Sequence, residues 1–282
     1  MRRLRSLLYM PGANVRALEK AEHIPADGVI LDLEDAVAPS AKVEARERVC
    51  STATVHRYPG RTVAIRVNAI GSIWHEKDLL SAAEAGPDAI LVPKVNTVDD
   101  VHAVERVLDD HAPTHTHVWA MLETPIAVLH AEKIAGCSDR LSVLVMGTND
   151  LAKEMYVEAG LDRAPLLSSL SACVLGARAH GKMIVDGVYN DVRDPGGFEA
   201  ECKQARRFGF DGKTLIHPGQ VGPCNAAFTP STEDVAHAMR VIQAFEEAEQ
   251  TGTGVATVDG RLIESLHVEL ARRTLAFAIS AS

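Results

Sequence analysis

Short runs of apolar residues alternate along the chain with longer segments rich in alanine, glutamate and arginine. This alternation is typical of β-α units whose parallel strands are buried on both faces. The pattern therefore predicts eight strands, each followed by a helical segment. The eight runs are residues 6–10, 28–33, 62–67, 89–94, 118–123, 141–147, 182–187 and 212–217.

The segments between the runs have helical character. In residues 98–109, Val98, Val101, Val104 and Leu108 recur every three or four positions, and residues 41–54 are a second helical candidate. Eight β-α repeats within roughly 220 residues match the size and count of a (β/α)8 barrel. We therefore predict an α/β fold, a TIM barrel, over residues 1–225.

Residues 226–282 follow the eight β-α repeats and are not needed to complete the barrel. Thr232–Gln250 has the pattern of a helix, residues 251–264 have the glycine punctuation of a hairpin, and residues 266–279 are a last helical segment. The sequence therefore predicts a C-terminal arm or lid made of two helices and a hairpin.

Composition and charge narrow the class of protein. The chain has 282 residues, 46% of them hydrophobic, so it can bury a large core. Its formal charge of −9 argues against a general surface for nucleic acid or anionic membranes. The five cysteines are scattered without metal-ligand spacing, which indicates reduced thiols. We expect a cytoplasmic protein.

Polar side chains stand at or just after the carboxyl end of seven of the eight runs. Active sites of TIM barrels lie at this end of the strands, so these side chains are candidates for one site. The alternative is that strand ends meet water and carry polar residues for that reason alone. The residues are Asp32, Glu34, Asp35, Arg66, Asn68, Lys94, Glu123, Asn149, Asp150, Asp186 and His217.

The balance of charge at this rim favours a bound cation. Several carboxylates would repel one another in a partly desolvated pocket, and in this set only Arg66 and Lys94 oppose them. Carboxylate ligands point to Mg²⁺ or Mn²⁺ rather than zinc. Glu123 and Asp150, at the ends of adjacent strands, are the predicted metal ligands. The alternative for Glu123 is a carboxylate that caps the helix after Pro125.

Seven motifs in this chain resemble the citrate lyase β-subunit-like and malyl-CoA lyase proteins of the HpcH/HpaI aldolase superfamily. They occur in the order and spacing of that family, from residue 5 to about residue 220. The motifs are "RSLLYMPG", "LDLEDAV", "RVNA", "VPKV", "ETP", "GTNDLA" and "GFDGKTLIHPGQV".

The resemblance implies a TIM-barrel enzyme that binds Mg²⁺ and cleaves or forms a carbon–carbon bond next to a thioester. The substrate would be a 3-hydroxyacyl-CoA such as malyl-CoA or citramalyl-CoA, which splits into a 2-oxo acid and an acyl-CoA. Such proteins are trimers or hexamers. One alternative is the β subunit of a multi-subunit citrate lyase with an acyl-carrier protein as partner. Another is a catalytically silent barrel used for assembly.

The resemblance also assigns roles at the rim. Arg66 would stabilise developing oxyanions, while Glu34 and Asp35 would accept hydrogen bonds from metal-bound water or orient Arg66 and Lys94. Those two carboxylates could equally belong to a buried ion-pair network. The predicted substrate contacts are Arg66, Lys94, Glu123 and the segment Gly147, Thr148 and Asn149, whose backbone N–H groups would hold a carboxylate.

Binding of the CoA phosphates is assigned to basic residues near the start of the chain. Arg5, Arg16 and Lys20 lie where similar proteins contact CoA. Arg16 and Lys20 could equally form a solvated helix face. We interpret His217 as a structural histidine in the turn of "IHPGQ" rather than a general base.

The C-terminal arm carries the last predicted catalytic residue. In similar lyases the arm crosses to a neighbouring subunit and supplies an aspartate that exchanges a proton with the α-carbon of the thioester. In this chain "GRLIESL" aligns Glu264 with that aspartate, and Asp259 lies just upstream. Glu264 is longer than that aspartate by one methylene group. We predict that it takes the same role, and the alternative is that it is a solvated hairpin residue.

Overall fold

Eight parallel strands close into a barrel in the computed structural model of the chain. The structure describes residues 3–55, 58–158, 160 and 162–279. Each strand pairs with the next along the chain, and β8 returns to β1. The strands are β1 (Ser6–Pro11), β2 (Gly28–Asp32), β3 (Thr62–Arg66), β4 (Ala89–Val92), β5 (His117–Leu122), β6 (Leu141–Met146), β7 (Met183–Asp186) and β8 (Gly212–Leu215).

Helices connect these strands on the outside of the barrel, so the predicted (β/α)8 fold is confirmed. Within the described residues they are α1 (Val15–Ala21), α2 (Lys42–Thr54), α3 (His75–Ala85), α4 (Val98–His111), α5 (Pro125–Leu129), α6 (Ala131–Gly136), α7 (Thr148–Glu154), α8 (Leu167–Ala179), α9 (Pro195–Phe208) and α10 (Val221–Phe228).

The predicted strands coincide with the observed ones to within two residues at each end. The largest difference is in β4 and β8, which end two residues before the predicted limits. In β4 the cause is Pro93, which has no N–H to donate to a neighbouring strand. Lys94 then adopts a left-handed conformation with φ of 54°. The chain therefore leaves the barrel abruptly just before a predicted site residue.

Alternate residues of the strands fill the barrel. Leu91, Trp119 and Met121, for example, belong to one buried apolar cluster to which seven of the strands contribute. Because side chains in a strand alternate between faces, the residues between them point toward the helices. The same alternation, continued past the last strand residue, directs Asp32 and Glu123 toward the mouth of the barrel.

Residues from 226 onward form a second compact unit. Its elements are α11 (Thr232–Gln250), the hairpin β9 (Ala256–Val258) and β10 (Arg261–Ile263), and α12 (Ser265–Ile279). Its own core includes Val241, Phe245 and Val268. The predicted helices and hairpin are therefore present, while the contact with a neighbouring subunit stays a prediction. No helix of the described residues is both long and apolar enough to span a membrane.

Candidate active site

A cavity of about 290 Å³ opens at the carboxyl ends of the barrel strands. Its walls combine carboxylates and one arginine with apolar side chains. This is the end of a TIM barrel where active sites lie. The lining residues are Tyr9, Asp32, Asp35, Ala36, Arg66, Met121, Glu123, Met146, Gly147, Thr148, Asn149, Asp150, Val188, Asn190, Thr214 and Ile216.

Arg66 and Asp32 form a buried two-point ion pair on one wall. The two residues are direct neighbours in the register of β2 and β3. Nε and Nη2 of Arg66 each donate to one oxygen of Asp32 at 2.7 Å. The guanidinium also lies 4.7 Å from the centre of the Tyr9 ring. A bidentate pair of this kind fixes the plane of the guanidinium.

Glu34 extends this cluster toward Lys94. Its Oε2 lies 2.8 Å from Nη1 of Arg66, but no described residue donates a well-directed hydrogen bond to this buried oxygen. Burial is the main reason that the pKa of Glu34 is raised to about 7, and Asp35 raises it further while Arg66 lowers it. Asp35 is exposed and lies 3.4 Å from Arg66. The predicted contact of both carboxylates with Arg66 is therefore present.

Glu123 is almost fully buried, with 1% of its surface exposed. Its Oε1 accepts the backbone N–H of Lys94 at 2.9 Å. Burial raises the pKa of Glu123 to about 7, and the nearby carboxylates Glu34 and Asp150 raise it further. A carboxyl group in this position gains from a nearby cation, because positive charge favours its ionised form.

Gly147 makes room for Glu123. Leu122 and Met146 are register partners in β5 and β6, so the residues that follow them lie side by side. A Cβ atom on Gly147 would lie 2.3 Å from Oε2 of Glu123. The absence of a side chain at Gly147 therefore leaves room for the Glu123 carboxylate.

Lys94 places its ammonium among the carboxylates. Nζ lies 3.7 Å from Glu34 and 3.7 Å from Asp150. Burial lowers the pKa of Lys94, but Glu34, Glu123 and Asp150 raise it by more, so the net direction is upward. Lys94 does not line the cavity, and its place as a substrate contact stays a prediction.

The predicted backbone cradle for a substrate carboxylate is smaller than expected. The N–H of Gly147 donates to the carbonyl of Leu122 at 3.1 Å and is therefore not free to bind substrate. Thr148 and Asn149 remain, as the first residues of α7, whose N–H groups have no acceptor within the helix. The Asn149 side chain exchanges hydrogen bonds with Asn190.

Asp186 does not join the other carboxylates, so its expected place at the rim is wrong. It lies behind the barrel wall, where Arg163 and Lys213 bind it at 2.8 Å. The reason is strand alternation, because Val185 faces the barrel interior and Asp186 therefore faces the helices. Glu201 on α9 completes this buried network.

Asn68 also points away from the cavity. Its side chain bonds to Lys42 and Asp78 among the helices. Three further cations, Lys42, Arg163 and Lys213, are buried beside Asn68 and Asp186 and do not line the cavity.

Arg5 is placed unfavourably for CoA. It precedes β1, at the amino end of the strand, whereas the cavity lies at the carboxyl ends. Its guanidinium also forms a two-point pair with Asp27, at 2.8 and 2.7 Å. We therefore drop Arg5 from the proposed thioester site. Arg16 and Lys20 are exposed on α1 and stay predicted contacts.

His217 caps the turn that follows β8, as expected. Its Nδ1 accepts the N–H of Gly219 at 3.1 Å. Glu264 is exposed between β10 and α12, and its N–H donates to His267. Asp259 is held by Arg240 at 2.9 Å and by His237 at 3.2 Å. The proton-transfer role of Glu264 stays a prediction.

Several lining residues were missed by the sequence analysis, chiefly Tyr9, Met121, Met146 and Asn190. Tyr9 could have been found from the alternation of β1, because it stands one residue before the end of the predicted run. Met121 and Met146 look like ordinary strand residues in sequence. Asn190 lies in an irregular loop and has no signal of its own.

The residues present fit a hard divalent cation. No group of three or more His, Cys, Asp or Glu side chains suited to a metal occurs in the described part of the chain. Two carboxylates, Glu123 and Asp150, line the same cavity. Mg²⁺ commonly takes one or two protein carboxylates and completes its coordination with water and substrate oxygens.

Comparison with known proteins gives relatives that span nearly the whole chain. A (3S)-malyl-CoA thioesterase of Cereibacter sphaeroides is 49% identical over 274 residues, 97% of this chain and 94% of the relative. The citrate lyase β subunit of Escherichia coli is 32% identical over 280 residues, 97% of this chain and 93% of the relative. Both relatives are named as enzymes or enzyme subunits.

A solved structure has the same fold over almost its full length. The CitE protein of Mycobacterium tuberculosis, in complex with magnesium, acetoacetate and coenzyme A, has a TM-score of 0.80 and 27% identity, covering 98% of each chain. A profile of the HpcH/HpaI aldolase/citrate lyase family matches residues 5–218. This chain therefore belongs to the HpcH/HpaI aldolase/citrate lyase family.

Proposed function

We propose that this protein is a Mg²⁺-dependent carbon–carbon lyase that acts on a short 3-hydroxyacyl-CoA carrying a carboxylate, such as malyl-CoA or citramalyl-CoA. The products are a 2-oxo acid and an acyl-CoA, and the reaction can run in either direction. The observation that carries the proposal is the cavity in which Glu123, Asp150 and Arg66 meet. The magnesium and coenzyme A held by the M. tuberculosis CitE structure support it.

Two carboxylates would hold the cation. Mg²⁺ bound by Glu123 and Asp150 supplies Lewis-acid polarisation of the oxygens on the acid half of the substrate. Glu123 is held in place by the N–H of Lys94. Lys94 and Glu34 balance the charge around this pair.

Arg66 faces the negative charge that develops as the bond between C2 and C3 breaks. The proton of the 3-hydroxyl group passes to solvent, the electron pair of the C2–C3 bond moves to the thioester enolate, and the acid half leaves as the 2-oxo acid. A fixed guanidinium stabilises such oxyanions. Tyr9, Met121 and Met146 line the same cavity and keep water from the enolate. A proton then returns to the α-carbon, and Glu264 is the proposed donor.

Hydrolysis of the same thioester is a second candidate. The C. sphaeroides relatives at 49% identity are named (3S)-malyl-CoA thioesterase. No serine, cysteine or histidine lines the described cavity, so hydrolysis would use a carboxylate or threonine as nucleophile or would activate water directly. A citrate lyase β subunit acting with an acyl-carrier protein is a third candidate, suggested by the E. coli relative.

One assay separates these reactions. Purified protein is incubated with Mg²⁺ and malyl-CoA, and the products are identified by mass spectrometry. Cleavage gives glyoxylate and acetyl-CoA, whereas hydrolysis gives malate and free CoA. We expect cleavage, and we expect EDTA to abolish it. Incubation with propionyl-CoA and pyruvate in the reverse direction then tests which acyl and acid halves the protein accepts.

The variants Glu123→Gln and Asp150→Asn are run beside Asp191→Asn, which neutralises an exposed carboxylate on the loop after β7. The first two should lose turnover and Asp191→Asn should keep it. Malate and CoA as the only products would assign hydrolysis instead. Turnover of a citryl thioester of an acyl-carrier protein, with none on any CoA ester, would assign the citrate lyase subunit.

A further inference from the structure

Lys42 is a buried cation that the proposed reaction does not use. It is the first residue of α2 and only 5% of its surface is exposed. Its ammonium donates to the carbonyls of Leu33 and Glu34, at 2.7 and 2.8 Å, and to the side-chain oxygen of Asn68, at 2.6 Å. All three protons of the ammonium therefore have acceptors.

These acceptors lie at the point where the chain leaves β2. Leu33 and Glu34 follow Asp32, the last residue of β2, so neither carbonyl belongs to a strand of the barrel. Backbone groups in this position must find other partners when they are buried. Asp32 accepts the N–H groups of Glu34 and Ala36 at 2.9 and 3.1 Å, so its side chain and Lys42 hold the same turn from two sides.

Asn68 extends the contact to the end of β3. Its amide donates to the carbonyl of Leu33 at 2.9 Å, and the N–H of Leu33 donates to the carbonyl of Arg66 at 2.9 Å. Lys42 thus links the strand ends that carry Glu34 and Arg66. The Lys42 ammonium also lies 5.1 Å from the Trp74 ring, which helps to enclose it.

We propose that Lys42 is a positioning residue, which fixes the turn after β2 and thereby holds the Glu34 carboxylate against Arg66 and Lys94. Lys42 does not line the cavity, so it acts through the backbone and not on the substrate. Misplacement of a catalytic group by about 1 Å can cost on the order of a hundredfold in rate. Loss of Lys42 should therefore lower turnover far more than substrate affinity.

The test compares Lys42→Met with Arg48→Met. Arg48 lies on the same helix, is half-buried, and donates to the carbonyl of Gly12 at 3.1 Å and to the Glu44 carboxylate rather than to the turn after β2 or Asn68. Both variants remove one cation from α2. With malyl-CoA, we expect kcat of Lys42→Met to fall at least tenfold with KM within threefold of wild type. Arg48→Met should keep both values within threefold.

The kinetic comparison rests on the proposed function. Hydrogen exchange measures the effect of Lys42 on the turn after β2 without depending on that function. Peptides that contain Leu33, Glu34 and Ala36 should exchange faster in Lys42→Met than in wild type and Arg48→Met. If Lys42→Met fails to fold, Lys42→Gln, which keeps two N–H donors, is measured in its place and should show a smaller change in the same direction.

The outcomes separate the two proposals. Absence of turnover in wild type, with accelerated exchange in the Lys42 variant alone, would overturn the proposed reaction and leave the structural part of the Lys42 role standing. Unchanged exchange in the turn after β2, or equal loss of kcat in both methionine variants, would overturn the positioning role.

Discussion

Arg66 contacts three carboxylates and one aromatic ring, and it is the most constrained side chain of the cavity. Two of its nitrogens are bound by Asp32, and Nη1 lies near Glu34 and Asp35. The sequence predicted that Arg66 faces the substrate and that Glu34 and Asp35 orient it, but did not predict its pair with Asp32. The structure shows that most of its donors are already engaged, so its direction in the cavity is set by Asp32.

This geometry predicts that Arg66→Lys is nearly as damaging as Arg66→Ala. An ammonium is a point charge and cannot make both bonds to Asp32, which is fully buried, so the planar two-point pair would be lost. We expect kcat/KM to fall by about two orders of magnitude in steady-state assays. Arg48→Lys, a partly exposed arginine of α2, is the control and should be neutral. Near-normal turnover of Arg66→Lys would exclude the planar pair as a requirement.

At the scale of elements, the close approach of β5 and β6 decides the geometry of the proposed metal site. The register pairs Leu122 with Met146, so Glu123 and Gly147 emerge together at the mouth of the barrel. Glu123 carries the buried carboxylate, and Gly147 has no side chain to obstruct it. A glycine at a strand end can therefore make room for a side chain of the neighbouring strand, and not only for a ligand.

Gly147→Ala should therefore disable the site without unfolding the barrel. The new Cβ would lie 2.3 Å from Oε2 and 2.4 Å from Cβ of Glu123, so that side chain or the start of α7 must move. We expect Mg²⁺ affinity, measured by calorimetry, and turnover both to fall at least tenfold. Gly222→Ala is the control, because nothing lies within 4 Å of its Cβ position. Normal Mg²⁺ binding by Gly147→Ala would argue against Glu123 as a ligand.

At the scale of the whole molecule, a buried ionic network contributes to stability away from the cavity. Burial raises the pKa of Asp186, but Lys213 and Arg163 lower it by more, so the net direction is downward. A carboxylate whose pKa is lower in the folded state stabilises the protein above its unfolded pKa of about 3.9, and this contribution is lost as pH falls through the folded pKa.

Asp186→Asn should show this dependence. Near pH 7 we expect a loss of about 3–5 kcal/mol in the free energy of unfolding, because buried cations lose a partner. The difference from wild type should shrink as pH falls below about 4, because the unfolded wild-type chain then takes up a proton on this carboxyl that the folded chain binds only at lower pH. Urea unfolding at a series of pH values measures both chains. A difference that stays constant down to the acid limit would contradict an ionised Asp186.

The C-terminal unit carries the prediction that tests assembly. If Glu264 acts on a neighbouring subunit of a homo-oligomer, Glu264→Gln should lose turnover and keep thioester binding. Mixing it with Asp150→Ala should restore part of the activity, because some sites would receive an intact cavity and an intact arm. Full activity of Glu264→Gln alone, or no recovery after demonstrated subunit exchange, would move the proton transfer to Asp259 or to water.

The sequence alone determined the barrel, the approximate limits of its eight strands and the helices and hairpin of the C-terminal unit. It could do so because these features depend on local periodicity, which every short segment displays by itself. It also identified Arg66, Glu123 and Asp150 as residues that meet, since the carboxyl ends of barrel strands converge.

Only the tertiary structure decided which polar strand-end residues enter the cavity and which lie behind the wall. Asp32 faces the cavity and Asp186 faces the helices, although both close an apolar run in the sequence. The difference follows from strand alternation and from the partners Arg66 for Asp32 and Lys213 for Asp186, which come from other strands, 34 and 27 residues away along the chain. Their contacts join residues far apart in the chain, so no local pattern records them. A buried charge costs free energy unless it is paired, but the pairs can form only after the fold has brought the groups together.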